Sequence, residues 1–315
     1  MNKINHYQQF NTHITNAKQI LISAHRYPDI DAIGSCLALA EAINHDNNTV
    51  KIWIPKNNTK DWDCFPKSNL VEKNFPHNFK FDTCIICDCS NLERVDQFEH
   101  IQNSQHSFTT INIDHHSDNN NFGDINIIEN ISSVGELLFN LLSTINIQIS
   151  QSMATCLYAA ISFDTGRFAY SNVTEKTLEV AAKLIKIGAK PYLITQAIEE
   201  NKSEKDFQLI KIAIDNLVVN HTASFAYTTI PKKSPKGSVK IIDLIRQLKD
   251  IDLLIVFQEL QSKLVKVNLR SKSQVNVSKL AQKFGGGGHD KAAGILFTKD
   301  LETCQAELIQ YIQSR

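Results

Sequence analysis

The sequence has no surplus of charge: Lys plus Arg and Asp plus Glu number 33 each among 315 residues, which argues against a basic surface built to track long nucleic acid. A short anionic ligand is not excluded, because a local cationic pocket or bound metal ions can supply its counter-charge. No apolar run approaches the roughly 20 residues that span a bilayer. The N-terminal MNKINHYQQF also lacks the apolar core of a signal peptide. These absences set the expectation of a cytoplasmic protein with no membrane partner. Cysteine is sparse and unpatterned, seven residues scattered along the chain, so there is no disulfide framework and the thiols are expected to be reduced. Internal repeats and long low-complexity tracts are missing too. What remains, at 42% hydrophobic and 21% charged, is a folded protein long enough for two domains, each with its own core.

The chain reads first as strand, loop, helix. QILISA at 19–24 is a buried strand, HRYPDID a polar turn, and AIGSCLALAEAI has helical spacing. TVKIWI at 49–54, FDTCIICDCS at 81–90 and FTTINIDHH at 108–116 repeat the short β-branched run that ends in polar residues. With helical stretches between them, these predict an α/β fold: an N-terminal, mainly parallel sheet flanked by helices. SSVGELLFNLLST, SQSMATCLYAAISFDTG and SNVTEKTLEVAAKLIKIG read as further helices, the last capped by Thr174 and stopped by Gly188. Pro191 and the polar stretch at 200–206 mark a hinge, placing the boundary within 188–206. Domains are expected at 1–190 and 205–315. The second, from SFAYTTI, IDLLIVFQEL and KLVKVNLRS, is a smaller α+β domain across a cleft.

In open α/β sheets, functional loops lie at the carboxyl ends of the strands. His25, Asp29, Asp31, Asp88, Asp114, His115 and His116 all follow apolar runs there, and Asp164 ends a helix. An isolated loop aspartate is more often a turn former or cap, and Asp31 would serve as the N-cap of the following helix. H-x-x-x-D-x-D is harder to dismiss, because three potential ligands crowd one loop where like charges repel unless a cation is bound. Oxygen and imidazole donors together suit Mn²⁺ and related divalent ions, with Mg²⁺ or Co²⁺ as alternatives, and two ions are the natural load.

HRYPDIDAIGS at 25–35, DCS at 88–90, DHH at 114–116 and DTG at 164–166 resemble, in order, the motifs of the DHH phosphoesterase superfamily. GGGGH at 285–289, followed by AAG, resembles the signature of its associated C-terminal domain. The resemblance implies that His25, Asp29 and Asp88 hold one metal and that Asp31, Asp88, His115 and Asp164 hold the other. Asp88 would bridge, Asp114 would orient His115, and His116 would reach the phosphate. It further implies a hydrolase acting on short oligoribonucleotides and on 3'-phosphoadenosine 5'-phosphate (pAp). Cyclic or linear dinucleotides are the alternative substrate class, and polyphosphate is a weaker third. A binding protein without turnover is the rival of a different class, opposed by the full ligand set. A homodimer is compatible with the sequence and not specified by it.

The glycine run reads either as a flexible linker or as backbone that approaches a phosphate closely, and its position between a helical stretch and a strand favours the second. The family pattern places Arg270 and His289 at the substrate, with Ser271, Gly286, Gly287 and Gly288 beside them. Arg270 alone would be only an exposed strand end. Cys84, Cys87 and Cys89 read as small core residues, not zinc ligands, because strand alternation sets Cys84 and Asp88 against Cys87 and Cys89. Trp53, Phe163 and Phe168 read as core more readily than as base-stacking platforms.

Overall fold

The computed structural model describes residues 3–55, 65–95, 97, 99–102, 107–200, 202–237, 239 and 241–314. The chain forms two compact units, Met1–Glu200 and Asn201–Arg315, each described by itself. The first unit runs α1 (Lys3–Asn16), β1 (Gln19–Ala24), α2 (Ile30–Ile43), β2 (Thr49–Trp53), β3 (Val71–Glu72), β4 (Thr83–Cys87), α3 (Glu99–Gln102), β5 (Thr109–Asp114), β6 (Ile125–Ile128), α4 (Val134–Thr144), α5 (Gln151–Asp164), α6 (Glu175–Ile187) and α7 (Pro191–Glu199). Its six strands lie in the order β3-β2-β1-β4-β5-β6. Every pairing is parallel.

Alternation along the strands builds two cores. Ile20, Ile22, Ile85, Cys87, Ile111 and Ile113 pack under α1, α2, α4 and α5, whereas Leu21, Trp53, Cys84 and Ile86 face the other side. Phe163 and Phe168 pack half-buried against the first core. Cys89 departs from the expected alternation and joins Cys84 in the second core. The reversal follows from Asp88, whose φ of 53° turns the backbone left-handed just beyond β4. The described cysteines are buried, as small core residues would be.

Helices α2, α4 and α5 approach closely because glycine lines their contacts. A Cβ on Gly34 would stand 2.6 Å from the Cys156 carbonyl oxygen, and one on Gly135 would stand 2.6 Å from the Ala160 Cβ. Helix α6 begins with a capping box from Thr174 and ends at Gly188, whose φ is 127°. Pro191 is not a linker residue; it occupies the first turn of α7, where its missing N–H costs nothing.

The second unit runs α8 (Glu204–Asp215), β7 (Val218–Asn220), β8 (Phe225–Ile230), α9 (Ile241–Ile245), β9 (Leu253–Gln261), β10 (Leu264–Ser271), α10 (Val277–Gln282), β11 (Gly287–His289), β12 (Ala292–Phe297) and α11 (Leu301–Gln313). Its sheet has the order β11-β12-β10-β9-β8-β7. Pairings are antiparallel except β8 with β9. Among the described residues no helix is long and apolar enough to cross a membrane.

Candidate metal centre

The strand order reverses direction between β1 and β4, and that junction is where a parallel sheet opens a crevice at its carboxyl edge. Ala24 pairs with Cys87 there. The next residue on each strand is a predicted ligand, and His25 Nε2 lies 3.4 Å from Asp88 Oδ2. Asp29 is the N-cap of α2, accepting from the Ala32 amide at 3.1 Å, and Asp31 sits in the helix's first turn. Asp114 closes β5, and Asp164 closes α5. The tight packing of α2 on α5 at Gly34 thereby links Asp31 to Asp164.

Three groups of donor atoms, each within 4.8 Å of one another, result: His25, Asp29 and Asp88; Asp31, His115 and Asp164; and Asp88, His115 and His116. His115 Nε2 is 3.1 Å from Asp164 Oδ2, 3.6 Å from Asp88 Oδ1 and 3.9 Å from Asp31 Oδ2. Asp88 belongs to two groups and touches the third through His115, so its carboxylate occupies the middle of the cluster.

The supporting bonds differ from two sequence expectations. Asp31 does not cap its own helix; it accepts from the backbone amides of Val134 at 2.8 Å and Gly135 at 2.9 Å, and so caps α4. Asp114 does not orient His115. Its Oδ1 takes His116 Nδ1 at 2.7 Å, while Asn119 donates to its Oδ2 at 2.6 Å. His115 is oriented by the Ile131 carbonyl, 3.2 Å from Nδ1. A carbonyl only accepts, so Nδ1 carries a hydrogen and Nε2 is the atom turned to the cluster.

The electrostatics are those of an anionic pocket. Burial, then the charges of Asp88 and Asp164, pushes the Asp29 carboxyl up to about 7. The same causes, burial first, raise Asp31. Burial works against the charged form of His115, but the hydrogen bond it donates to Asp164 and the charges of Asp31 and Asp88 outweigh it and bring the imidazole to about 10. At Asp88 burial is likewise overcome, here by the hydrogen bond and charge of His25 with His116 and His115, which hold it below the ordinary carboxylate range. Protons on the acids and imidazoles thus take up part of the charge that a metal would neutralise.

Whether the residues fit metal ions is decided at Asp88. Its Oδ1 is buried with no hydrogen-bond partner among the described residues. His115 Nε2 and His116 Nδ1 stand 3.6 Å from it, beyond hydrogen-bond reach, so this buried anionic oxygen lacks a direct partner, which a cation would supply. The oxygen and imidazole donors around it are ones that divalent metal ions accept, so the cluster fits metal ions.

In the second unit Arg270 is half-buried at the end of β10, its guanidinium donating to the Leu269 carbonyl at 3.2 Å. Ser271 is buried and bonds the Ser273 carbonyl. Instead of a loop, the glycine run continues into the edge strand β11. A Cβ on Gly286 would come within 2.2 Å of the Gly294 carbonyl, and one on Gly288, at φ 141°, within 2.5 Å of the Ala292 carbonyl, so packing against β12 demands both glycines. Gly287 has nothing within 4 Å of its Cβ direction. Register pairs Ala292 with Arg270 on one side and His289 on the other, one row across the sheet. The His289 side chain lies outside the described residues.

Residues 19–161 match the DHH family, N-terminal domain, and residues 222–314 match the DHHA1 domain. The chain carries a DHH domain followed by a DHHA1 domain. It is 26% identical to a Streptococcus mutans protein named probable bifunctional oligoribonuclease and PAP phosphatase NrnA, over 87% of this chain and 88% of that one. It is 28% identical to the bifunctional oligoribonuclease and PAP phosphatase NrnA of Thermus thermophilus, over 91% and 86%. The crystal structure of an exopolyphosphatase-related protein from Bacteroides fragilis superposes with a TM-score of 0.88 at 25% identity, covering 98% of this chain and 95% of that one.

Several residues of the DHH domain's site escaped sequence reasoning. Asn119 bonds Asp114, and Ser35 donates to Asp31 at 3.2 Å. Segment 131–135 supplies backbone groups to His115 and Asp31. Its one legible signal was Ser133 three residues before Glu136, the spacing of a capping box. Ser133 does cap α4. Glu136 instead takes bonds from Ser132 and Thr177.

Proposed function

We propose that the protein is a metal-dependent phosphoesterase that hydrolyses short oligoribonucleotides and removes phosphate from pAp, using two divalent ions, Mn²⁺ foremost. The observation that carries the reading is the position of Asp88, a buried carboxylate with one oxygen that makes no hydrogen bond, standing between the His25–Asp29 group and the Asp31–His115–Asp164 group. Similarity over most of the chain to proteins named for both activities supports the substrate class.

His25, Asp29 and Asp88 would hold one ion; Asp31, Asp88, His115 and Asp164 would hold the other. When bound, such a pair supplies the charge that polarises a phosphoryl group and acidifies water. The protein's own work is to fix the geometry. The α4 amides immobilise Asp31, the Ile131 carbonyl sets the His115 ring, and Asp114 anchors His116 through Nδ1. That last bond leaves His116 Nε2 to meet a phosphoryl oxygen or to pass a proton to the departing alkoxide. In the second unit, Arg270 and the open backbone at Gly287 would receive the terminal phosphate and base, with Ser271, Gly286, Gly288 and His289 around them.

The deciding experiment is a hydrolysis panel of the purified protein on RNA dinucleotides, long RNA, pAp, cyclic dinucleotides and polyphosphate, with Mn²⁺, Mg²⁺, Co²⁺ or chelator. Dinucleotides and pAp are expected to turn over fastest with Mn²⁺ and not at all with chelator. Faster turnover of cyclic dinucleotides or polyphosphate would replace the substrate assignment, and binding without hydrolysis under every metal would end the enzymatic one.

A further inference from the structure

We propose that Asn172 is a positioning residue of the metal centre, tying the turn that carries Asp164 to the segment on which Asp31 and His115 are fixed. The inference rests on the reading of the cluster as a metal site, and adds to it a residue that touches neither metal nor substrate.

Segment 131–135 is where the supports of an aspartate and a histidine meet. The Ile131 carbonyl orients His115, and the Val134 and Gly135 amides hold Asp31. The segment is itself braced from beneath: Glu136 is 3% exposed and accepts from the hydroxyls of Ser132 and Thr177. Asp164 belongs to a different element, the last turn of α5; that helix meets the segment where Gly135 packs on Ala160, one turn before Asp164.

The backbone after Asp164 is unusual. Gly166, Arg167 and Phe168 have φ of 54°, 60° and 63°, three successive left-handed residues of which only the first is glycine. Such a turn persists only where its surroundings hold it. Thr165 does part of this, accepting from the Phe168 amide at 3.0 Å. Backbone bonds inside the turn add to it, that of the Arg167 amide to the Ser162 carbonyl among them, and Asn172 braces it from the far side. Its Nδ2 donates to the Asp164 carbonyl at 3.0 Å and to the Ser132 carbonyl at 3.1 Å. One amide group, with one hydrogen for each carbonyl, thus spans the two segments. Asn172 is also exposed, so it fills no space in a core. Removing it takes away the clamp and little packing.

The test compares Asn172→Ala, and Asn172→Asp, which keeps the shape but has no hydrogens to donate, with wild type and with Ser171→Ala as neighbouring control. Mn²⁺ affinity is read by electron paramagnetic resonance titration and folding by melting temperature in chelator. In both Asn172 variants one of the two Mn²⁺ ions is expected to bind about 10-fold more weakly. The turnover number should fall at limiting Mn²⁺ and recover at excess Mn²⁺, with KM for a dinucleotide within about twofold of wild type. Chelated melting temperatures should match the Ser171→Ala control. Mn²⁺ affinity within twofold of wild type in either variant would overturn the proposal. So would a lowered melting temperature with Mn²⁺ affinity retained, which would make Asn172 merely structural. A wild-type protein that binds no Mn²⁺ would instead refute the metal reading itself.

Discussion

His25 and Asp88 directly follow Ala24 and Cys87, a parallel pair on adjacent strands, and their side chains meet at 3.4 Å. The sheet's register therefore sets this contact. Asp88 reaches it with a φ of 53°, a conformation that Asp and Asn tolerate better than most residues.

Asp88→Asn should fold normally, and Asp88→Ala should lose about 1 kcal/mol of stability from the left-handed backbone alone. Both should lose at least about 1000-fold in turnover, because two of the three donor groups include that carboxylate and the third adjoins it through His115. Urea titration and dinucleotide hydrolysis measure the two effects; an active Asp88→Asn protein would refute the central role given to this side chain.

Metal-free protein should become less stable as pH rises from 5 to 9. Asp29, raised to about 7, holds a proton in the folded state that the unfolded chain gives up near its ordinary 3.8, so folding loses ground between those values. His115, raised from 6.5 to about 10, contributes stability that is full below 6.5 and lost as pH climbs through 10. Asp88, held low, titrates beneath this window. Melting curves in chelator should fall across the range, and Mn²⁺ should restore most at the alkaline end. A flat profile in chelator would contradict the electrostatic account.

Gly34→Ala should cost about 1–3 kcal/mol, since its new methyl would push α2 off the Cys156 carbonyl. Parting α2 from α5 also parts Asp31 from Asp164, so Mn²⁺ affinity should drop with stability. Calorimetric titration and denaturant melts of one sample report both, and unchanged affinity would show that the helix contact does not govern the site.

Two glycine substitutions separate packing from ligand contact in the second unit. Gly288→Ala should destabilise it, because the added methyl meets the Ala292 carbonyl at 2.5 Å in a positive-φ backbone. Gly287→Ala has open space and should fold like wild type. If the reading of this strand as a substrate contact is right, Gly287→Ala and Arg270→Ala each raise the dinucleotide KM about 10-fold or more at unchanged melting temperature. Unaltered KM in both variants would move the substrate elsewhere.

Cys84 and Cys89, whose thiols burial pushes up to about 12, should resist alkylation at pH 8 in the native protein and react once it is unfolded. Mass mapping after iodoacetamide treatment reads this directly, and rapid native labelling at either position would contradict the packing.

The sequence exposed those parts of the site that are side chains at the ends of regular elements. His25, Asp88 and Asp114 stand where β-branched runs stop, and Asp164 where a helical pattern stops, so periodicity alone located them. It could not show the Ile131 carbonyl or the amides of Val134 and Gly135, because every residue has those groups and only the tertiary path aims them. Asn119 and Asn172 looked like ordinary loop residues for the same reason. Asp29 and Asp31 exchanged roles because both spacings suit a cap and only the position of α4 decides between them. The glycine run looked like a ligand loop since close approach of a neighbouring strand and close approach of a phosphate demand the same absent Cβ. Helix α1 went unread although Tyr7, Phe10 and Ile14 are buried at helical spacing, because polar residues outnumber them.

The amide bonds to Asp31 give that aspartate a second duty in holding the start of α4, which Asp88 and Asp164 do not share. A lineage that abandoned hydrolysis but kept this architecture would be free to discard Asp88 and Asp164 first. Asp31 would outlast them, so an aspartate at that position in a distant sequence testifies to shared architecture before it testifies to shared chemistry.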